Sequence, residues 1–179
     1  MKILRKIILV VLLLPILLVL ASFFLPSKYR VERSAVITAP PETIYPWLAQ
    51  LRRWPEWTVW NTSADPTLVN TYSGPAEGAG AEMSWSAKTL GNGVIKLTKA
   101  ETNTGVNYEL NFENGRLISG GAVTMAAADG GTKLTWSNEG KFGFNPVARY
   151  FGLFFDKLMG ADFEKNLANL KQKVEPKAN

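Results

Sequence analysis

Val106-Asn107-Tyr108-Glu109-Leu110-Asn111-Phe112-Glu113 alternates strictly between apolar and polar side chains. In an extended chain, successive side chains point to opposite faces. Val106, Tyr108, Leu110 and Phe112 therefore share one face, and the asparagines and glutamates share the other. One dry and one wet face marks a strand of an antiparallel sheet with one side solvated. Asn114-Gly115, a hairpin signal, follows directly. Working outward, residues 68–72, 82–87, 94–101, 121–128 and 132–140 read as further strands. They are separated by the glycine-rich stretches 74–80, 91–93, 103–105 and 129–131. Six strands joined by short turns predict an antiparallel meander.

The meander is flanked by helical patterns. Asn145-Pro146 is a helix start, with asparagine as N-cap and proline at the first helical position. Residues 147–174 follow as a long helix. Its stripe runs through Val147, Tyr150, Phe151, Phe154, Leu158, Met159, Phe163, Leu167, Leu170 and Val174. Before the meander, residues 31–38 read as a first strand. Residues 41–51 read as a helix whose inward face is Ile44, Trp47, Leu48 and Leu51. Trp54, Trp57 and Trp60 are spaced by three, which a short helical turn near Pro55 would align on one side. The expected fold class is α+β: a curved antiparallel sheet wrapped around the long C-terminal helix.

Residues 7–25 contain only apolar side chains apart from Pro15 and Ser22. At about 1.5 Å per residue such a helix is long enough for a bilayer core. The expectation is a transmembrane anchor (7–25) behind a basic stretch (1–6), then a linker (26–30), one domain (31–175) and a tail (176–179). A cleaved signal peptide is the rival reading, but the apolar run continues past the weak site at Val19-Leu20-Ala21. Lys2, Arg5 and Lys6 precede the run, and Lys28, Arg30 and Arg33 follow it, so the positive-inside comparison nearly ties. A short basic N-terminus usually stays cytoplasmic, which expects the domain on the extracytoplasmic side. Residues 1–30 carry five basic residues and no acid, while the rest of the chain carries equal numbers of each. The basic balance therefore belongs to the anchor and its flanks, is no nucleic-acid footprint, and suits anionic lipid head groups. The chain has no histidine and no cysteine. That removes the commonest general base and metal ligand, thiol catalysis and zinc–thiolate sites. No cofactor or metal is expected.

Several stretches resemble the START-like (SRPBCC) helix-grip superfamily, in its polyketide cyclase/dehydrase and lipid-transport branch. They are Val36-Ile37-Thr38-Ala39-Pro40-Pro41-Glu42, Trp54-Pro55-Glu56-Trp57, Gly131-Thr132-Lys133-Leu134-Thr135-Trp136, and the run from Met159 to Lys171. The resemblance implies a hydrophobic cavity between the concave face of the sheet and the last helix. Its expected lining is Met83, Trp85, Ile95, Leu97, Tyr108, Leu110, Phe112, Val123, Met125 and Trp136 from the strands. The helix would contribute Phe151, Phe154, Phe155, Leu158 and Met159. The bland alternative is that these side chains simply fill a core. Trp54, Trp57 and Trp60 would gate the cavity mouth, dip into a membrane interface, or form a satellite cluster under the loops. Gly152 and Gly160, each costly inside a helix, mark close approach to the sheet or room for a ligand, or are simply tolerated near a kink.

Among polar residues, Glu82, Glu109 and Glu113 alternate with the apolar positions and should point to solvent. Tyr108 is the best inward polar group, suited to donate a hydrogen bond to a ligand. The leading functional expectation is a membrane-anchored binding domain for an apolar small molecule: a lipid, an isoprenoid or an aromatic compound. The alternatives are a cyclase/dehydrase-type enzyme, disfavoured by the lack of histidine and of an inward carboxylate, and a structural or protein-interaction domain.

Overall fold

The computed structural model of the chain describes residues 2–175, without the side chains of Lys2, Arg5, Ile7, Ile8 and Val10. The elements are α1 (Lys2–Ser22), β1 (Lys28–Ile37), α2 (Pro41–Ala49), a 3-10 turn (Leu51–Glu56), β2 (Val69–Ser73), β3 (Glu82–Ser86), β4 (Asn92–Glu101), β5 (Gly105–Phe112), β6 (Leu117–Ala128), β7 (Gly131–Lys141) and α3 (Pro146–Val174). All seven strands form one antiparallel sheet in the order β1-β7-β6-β5-β4-β3-β2. The meander is thus closed by the first strand, which returns to pair with the last. In β4, Leu97 pairs with Tyr108 and Lys99 with Asn107, which leaves Thr98 as an extra residue. Such a bulge bends a strand and sharpens its twist, helping the sheet curl around α3.

Local signals explain most elements. In β5 the buried residues are Gly105, Val106 and Tyr108, and the exposed ones Asn107, Glu109 and Asn111. On α2, Ile44 and Leu48 are fully buried and Trp47 partly so. The N-cap of α3 forms as its sequence predicts: the Asn145 side chain accepts from the Ala148 N–H at 3.2 Å, and Pro146 opens the helix.

The helix α3 is fixed to the sheet by apolar burial and by one ionic clip. Phe163, Leu167 and Leu170 are buried under the sheet. Arg33 of β1 reaches across α3, bonding both carboxylate oxygens of Asp156 at 3.0 Å and Glu164 at 2.7 Å. Gly160 lies between these two acids, and a Cβ there would occupy the place of the guanidinium. Gly152 admits the Phe142 ring in the same way. Both helical glycines therefore serve close approach. Arg30 pairs with Glu32 and Glu139, so two of the three basic residues after the apolar run are held by acids of the domain rather than presented to lipid.

The N-terminal expectation is corrected in part. Helix α1 ends at Ser22, three residues short of Leu25. There the Ser22 hydroxyl bonds back to the Val19 carbonyl at 2.6 Å, and Phe23, Phe24 and Leu25 close tight turns onto the carbonyls three residues back. Strand β1 starts at Lys28, inside the expected linker, because residues 28–30 already pair with residues 139–141 of β7. Among the described residues no helix is long and apolar enough to cross a membrane, so the expected span finds no support there. The side chains of Ile7, Ile8 and Val10 at its start, residue 1 of the basic stretch, and the tail at 176–179 lie outside what is described.

Candidate functional site

Between the concave face of the sheet, the tryptophan turn and α3 lies a cavity of about 380 Å³. That falls within the range of small-molecule pockets. Its walls come from the strands, from α3 and from the segment after α2. Met83 and Trp85 stand on β3, Ile95 on β4, and Tyr108, Leu110 and Phe112 on β5. Trp136 and Asn138 stand on β7; Phe155, Met159 and Phe163 on α3; Trp54 and Trp60 come from the segment after α2. A second, shallow hollow of about 110 Å³ beside Arg52 and Tyr72 is too small for such a ligand.

Of the expected lining residues, Met83, Trp85, Ile95, Tyr108, Leu110, Phe112, Trp136, Phe155 and Met159 surround the cavity. Five others do not. Leu97, Val123 and Met125 are buried in solid core, because α2 packs onto β5 and fills that end of the concave face with Ile44 and Leu48. Phe151 and Leu158 are about half exposed, at 51% and 52%, as is Phe154 at 63%. The stripe on α3 is wider than the surface the sheet can cover, so its outer edge stays outside.

The tryptophans resolve into distinct places. Trp54 and Trp57 are buried, at 3% and 1% exposure, which rules out a membrane-interface position for them. Trp54 donates its Nε1–H to the Leu48 carbonyl at 3.0 Å and forms part of the cavity wall with Trp60. Trp57 sits behind them, 5.4 Å from the Trp136 ring. Trp136 is the hub: it stacks on Phe163 at 4.6 Å and 14°, and Trp54 and Trp60 meet it edge-on at 5.7 and 6.0 Å.

One wall of the cavity is polar and internally satisfied. Trp136 Nε1 donates to the Tyr108 hydroxyl at 2.9 Å, and Asn138 Nδ2 donates to the same oxygen at 3.3 Å. That hydroxyl donates in turn to the Ser137 carbonyl at 3.2 Å. The Tyr29 hydroxyl donates to Asn138 Oδ1 at 3.0 Å, and Asn138 Nδ2 also reaches Ser119. A phenol has one donor and two acceptor positions, and Tyr108 uses all three within the protein. The expectation that Tyr108 donates to a ligand is thereby corrected. Burial pushes its pKa up to about 12, against smaller lowering by Trp136 and Asn138. Tyr29 is raised as well, again chiefly by burial.

Sequence reading missed Tyr29, Asn138, Leu68, Thr89, Leu90, Leu117 and Phe163 as wall residues. The rim at Thr89 and Leu90 is fixed by Asp65. One of its carboxylate oxygens accepts from the Thr67 N–H and hydroxyl, the other from the Thr89 and Leu90 N–H groups. These bonds, the Thr67 hydroxyl foremost, hold the carboxyl far below the usual carboxylate range. Asp65-Pro66-Thr67 was the available signal, an aspartate bonding its own backbone two residues on.

The polar wall depends on Gly121, which faces Tyr108 across the β5–β6 pair. A Cβ at Gly121 would run into the Ser137 carbonyl and the Tyr108 ring. Gly121→Ala is expected to destabilise the protein by about 1–3 kcal/mol, the usual cost of overpacking. Urea unfolding would check this; unchanged stability would mean that the ring has slack.

A family model described as polyketide cyclase/dehydrase and lipid transport matches residues 28–175. The chain belongs to that family. No curated protein matches it. Among solved structures it is similar to Ara h 8.0201, at 15% identity and a TM-score of 0.58, over 82% of this chain and 97% of that one. A protein from Mesorhizobium loti gives 22% identity and a TM-score of 0.57, over 80% and 98%. The di-domain ARO/CYC protein StfQ from the steffimycin biosynthetic pathway gives 11% identity and a TM-score of 0.60, over 82% of this chain and 50% of that one. At these identities the likenesses establish the fold. Family membership adds that the polyketide cyclase/dehydrase and lipid-transport domain begins where β1 does, at Lys28, and ends with α3.

Proposed function

We propose that this chain is a membrane-anchored binding domain for an apolar small molecule, lipid-like or aromatic. The carrying observation is the cavity of about 380 Å³ with mostly apolar walls. Its central polar groups bond to one another rather than aiming unpaired into the space. Binding there would come from burial of apolar surface, about 25 cal/mol per Å² before the costs of association. The family's description, with lipid transport in it, supports the same reading.

Anchoring by residues 7–25 is part of the proposal. It is supported by 19 consecutive residues without a charge and by the outward leucines of α1, such as Leu12, Leu17 and Leu20 at 54–61% exposure. The short basic N-terminus favours a domain on the extracytoplasmic side.

An enzyme acting in the cavity is the weaker reading. The ionisable groups in the described wall are Tyr29 and Tyr108, both raised in pKa and so held protonated at neutral pH. A cyclase here would work by shape alone.

The test is native mass spectrometry of the full chain released from detergent micelles, after exposure to a panel of fatty acids, isoprenoids and polycyclic aromatics. A reproducible adduct is expected. Leu110→Trp, which fills the cavity, should weaken it about tenfold or more, equivalent to ~1.4 kcal/mol. Apo masses across the whole panel would sink the binding reading and leave an interaction domain.

A further inference from the structure

The outer face of α3 changes character partway along. Val147, Phe151, Phe154 and Leu158 are spaced by four, three and four residues, so they share one face over about three turns. All four are exposed, at 75%, 51%, 63% and 52%. Seven residues beyond Leu158 on the same face stands Lys165, and seven beyond that Gln172, both exposed. The sheet covers neither half, so burial in this domain does not explain the switch. A contiguous exposed apolar strip on a small domain marks a surface that something else covers.

What covers it is indicated by its neighbour. The end of α1 docks beside the start of α3. Arg149, 7% exposed, donates through Nε to the Gly143 carbonyl at 2.9 Å and through Nη1 to the Ser22 and Phe23 carbonyls at 3.3 and 3.4 Å. Its guanidinium lies 5.4 Å from the Phe23 ring centroid. The Tyr150 hydroxyl donates to the Leu18 carbonyl at 2.8 Å. A buried cation caps the last carbonyls of α1, where a cation suits the helix end. The apolar helix is thus held against the domain at one defined place. Phe24 and Phe144, exposed at 91% and 83%, sit in the two links that meet there, tied by the Phe142 N–H to the Ser27 carbonyl.

We propose that the first three turns of α3 lie in the bilayer interface as an in-plane lipid contact, continuous with the anchor and bounded where the outer face turns polar at Lys165. The inference rests on the anchoring proposed above and goes beyond it. Apolar side chains on one face, with phenylalanine at the boundary, are what an interfacial helix presents to the headgroup–acyl zone. The same turns carry Phe155 and Met159, which wall the cavity. The contact therefore sets that wall at the lipid surface and gives an apolar ligand a route that avoids water.

The absence of cysteine makes the test direct. Single variants Leu13→Cys, Phe154→Cys, Leu158→Cys and Lys165→Cys of the full chain are spin-labelled and reconstituted into vesicles of phosphatidylcholine and phosphatidylglycerol. Collision with oxygen, which concentrates in lipid, is compared with collision with a water-soluble nickel chelate. Oxygen should dominate at Leu13, Phe154 and Leu158, and the balance should reverse at Lys165. Oxygen at Leu13 with nickel at Phe154 and Leu158 would overturn the lipid contact and leave the anchor standing. Weak collision with both reagents at Phe154 and Leu158 would overturn it in favour of a protein, such as a second copy, on that face. Nickel at Leu13 as well would overturn the anchoring and this contact together.

Discussion

Trp136→Ala is expected to cost about 3–5 kcal/mol, the range for truncating a large buried aromatic side chain. That is a large share of the 5–15 kcal/mol by which domains are stable. The ring is 1% exposed, so nearly all of its surface is lost from the core. It stacks on Phe163, which is how β7 grips α3, and Trp54, Trp57 and Trp60 all pack against it. Its Nε1 supplies one of the two hydrogen bonds that the Tyr108 hydroxyl accepts. Trp136 also walls the cavity, so truncation would enlarge a void rather than let the core collapse. Trp136→Phe keeps much of the packing and loses the donor, and should cost roughly 1–3 kcal/mol. Urea unfolding of the three proteins would order them. As the contrast, Phe154→Ser removes an equally apolar residue at 63% exposure. In detergent it should stay within about 0.5 kcal/mol of the parent. Equal losses at both positions would mean that α3 lies on the sheet in another rotation.

That contrast shows where sequence is informative. Alternation in β5 and the N-cap at Asn145 are local signals, and each forms as its residues predict. The stripe on α3 is a different case. Periodicity reports which residues share a face but not how much of that face a partner covers. Phe155 is buried while Phe151 and Phe154, about one turn or less away, are half exposed. Likewise Ile95 and Leu97 share the concave face, yet only Ile95 meets the cavity. The difference arises because α2 fills the other end, a contact between segments some fifty residues apart. Asn138 and Tyr29 were hidden for the opposite reason. Both are polar or amphipathic side chains at inward positions, and only the network that joins them makes their burial affordable. The tryptophan triplet was legible as a cluster, but its partner, Trp136, lies about eighty residues downstream.

The polar wall gives the second large effect, at alkaline pH. Tyr108 ionises by losing a proton, and the folded protein holds that proton more tightly: its pKa is near 12, against 10.0 for an ordinary tyrosine. The dominant cause is burial, which disfavours the phenolate. Between those two values the folded state binds more protons than the unfolded state, so stability must fall as pH rises. The contribution is complete below pH 10, declines from there to about 12, and is gone above. Two units correspond to about 3 kcal/mol, as an order of magnitude. Tyr29, Tyr45 and Tyr72 are also raised, each chiefly by burial, and add losses of the same sign. Tyr108→Phe separates them. It has no proton to lose, so its stability curve should be markedly flatter between pH 10 and 12, even though it starts lower because Trp136 and Asn138 lose their acceptor. Urea unfolding at pH 9, 11 and 12 measures both slopes. If parent and variant lose stability equally, Tyr108 titrates as if wet, and solvent reaches the wall at which the cavity meets β7. If only the parent falls, the hydroxyl is sealed in its network, and the cavity binds through its apolar surfaces.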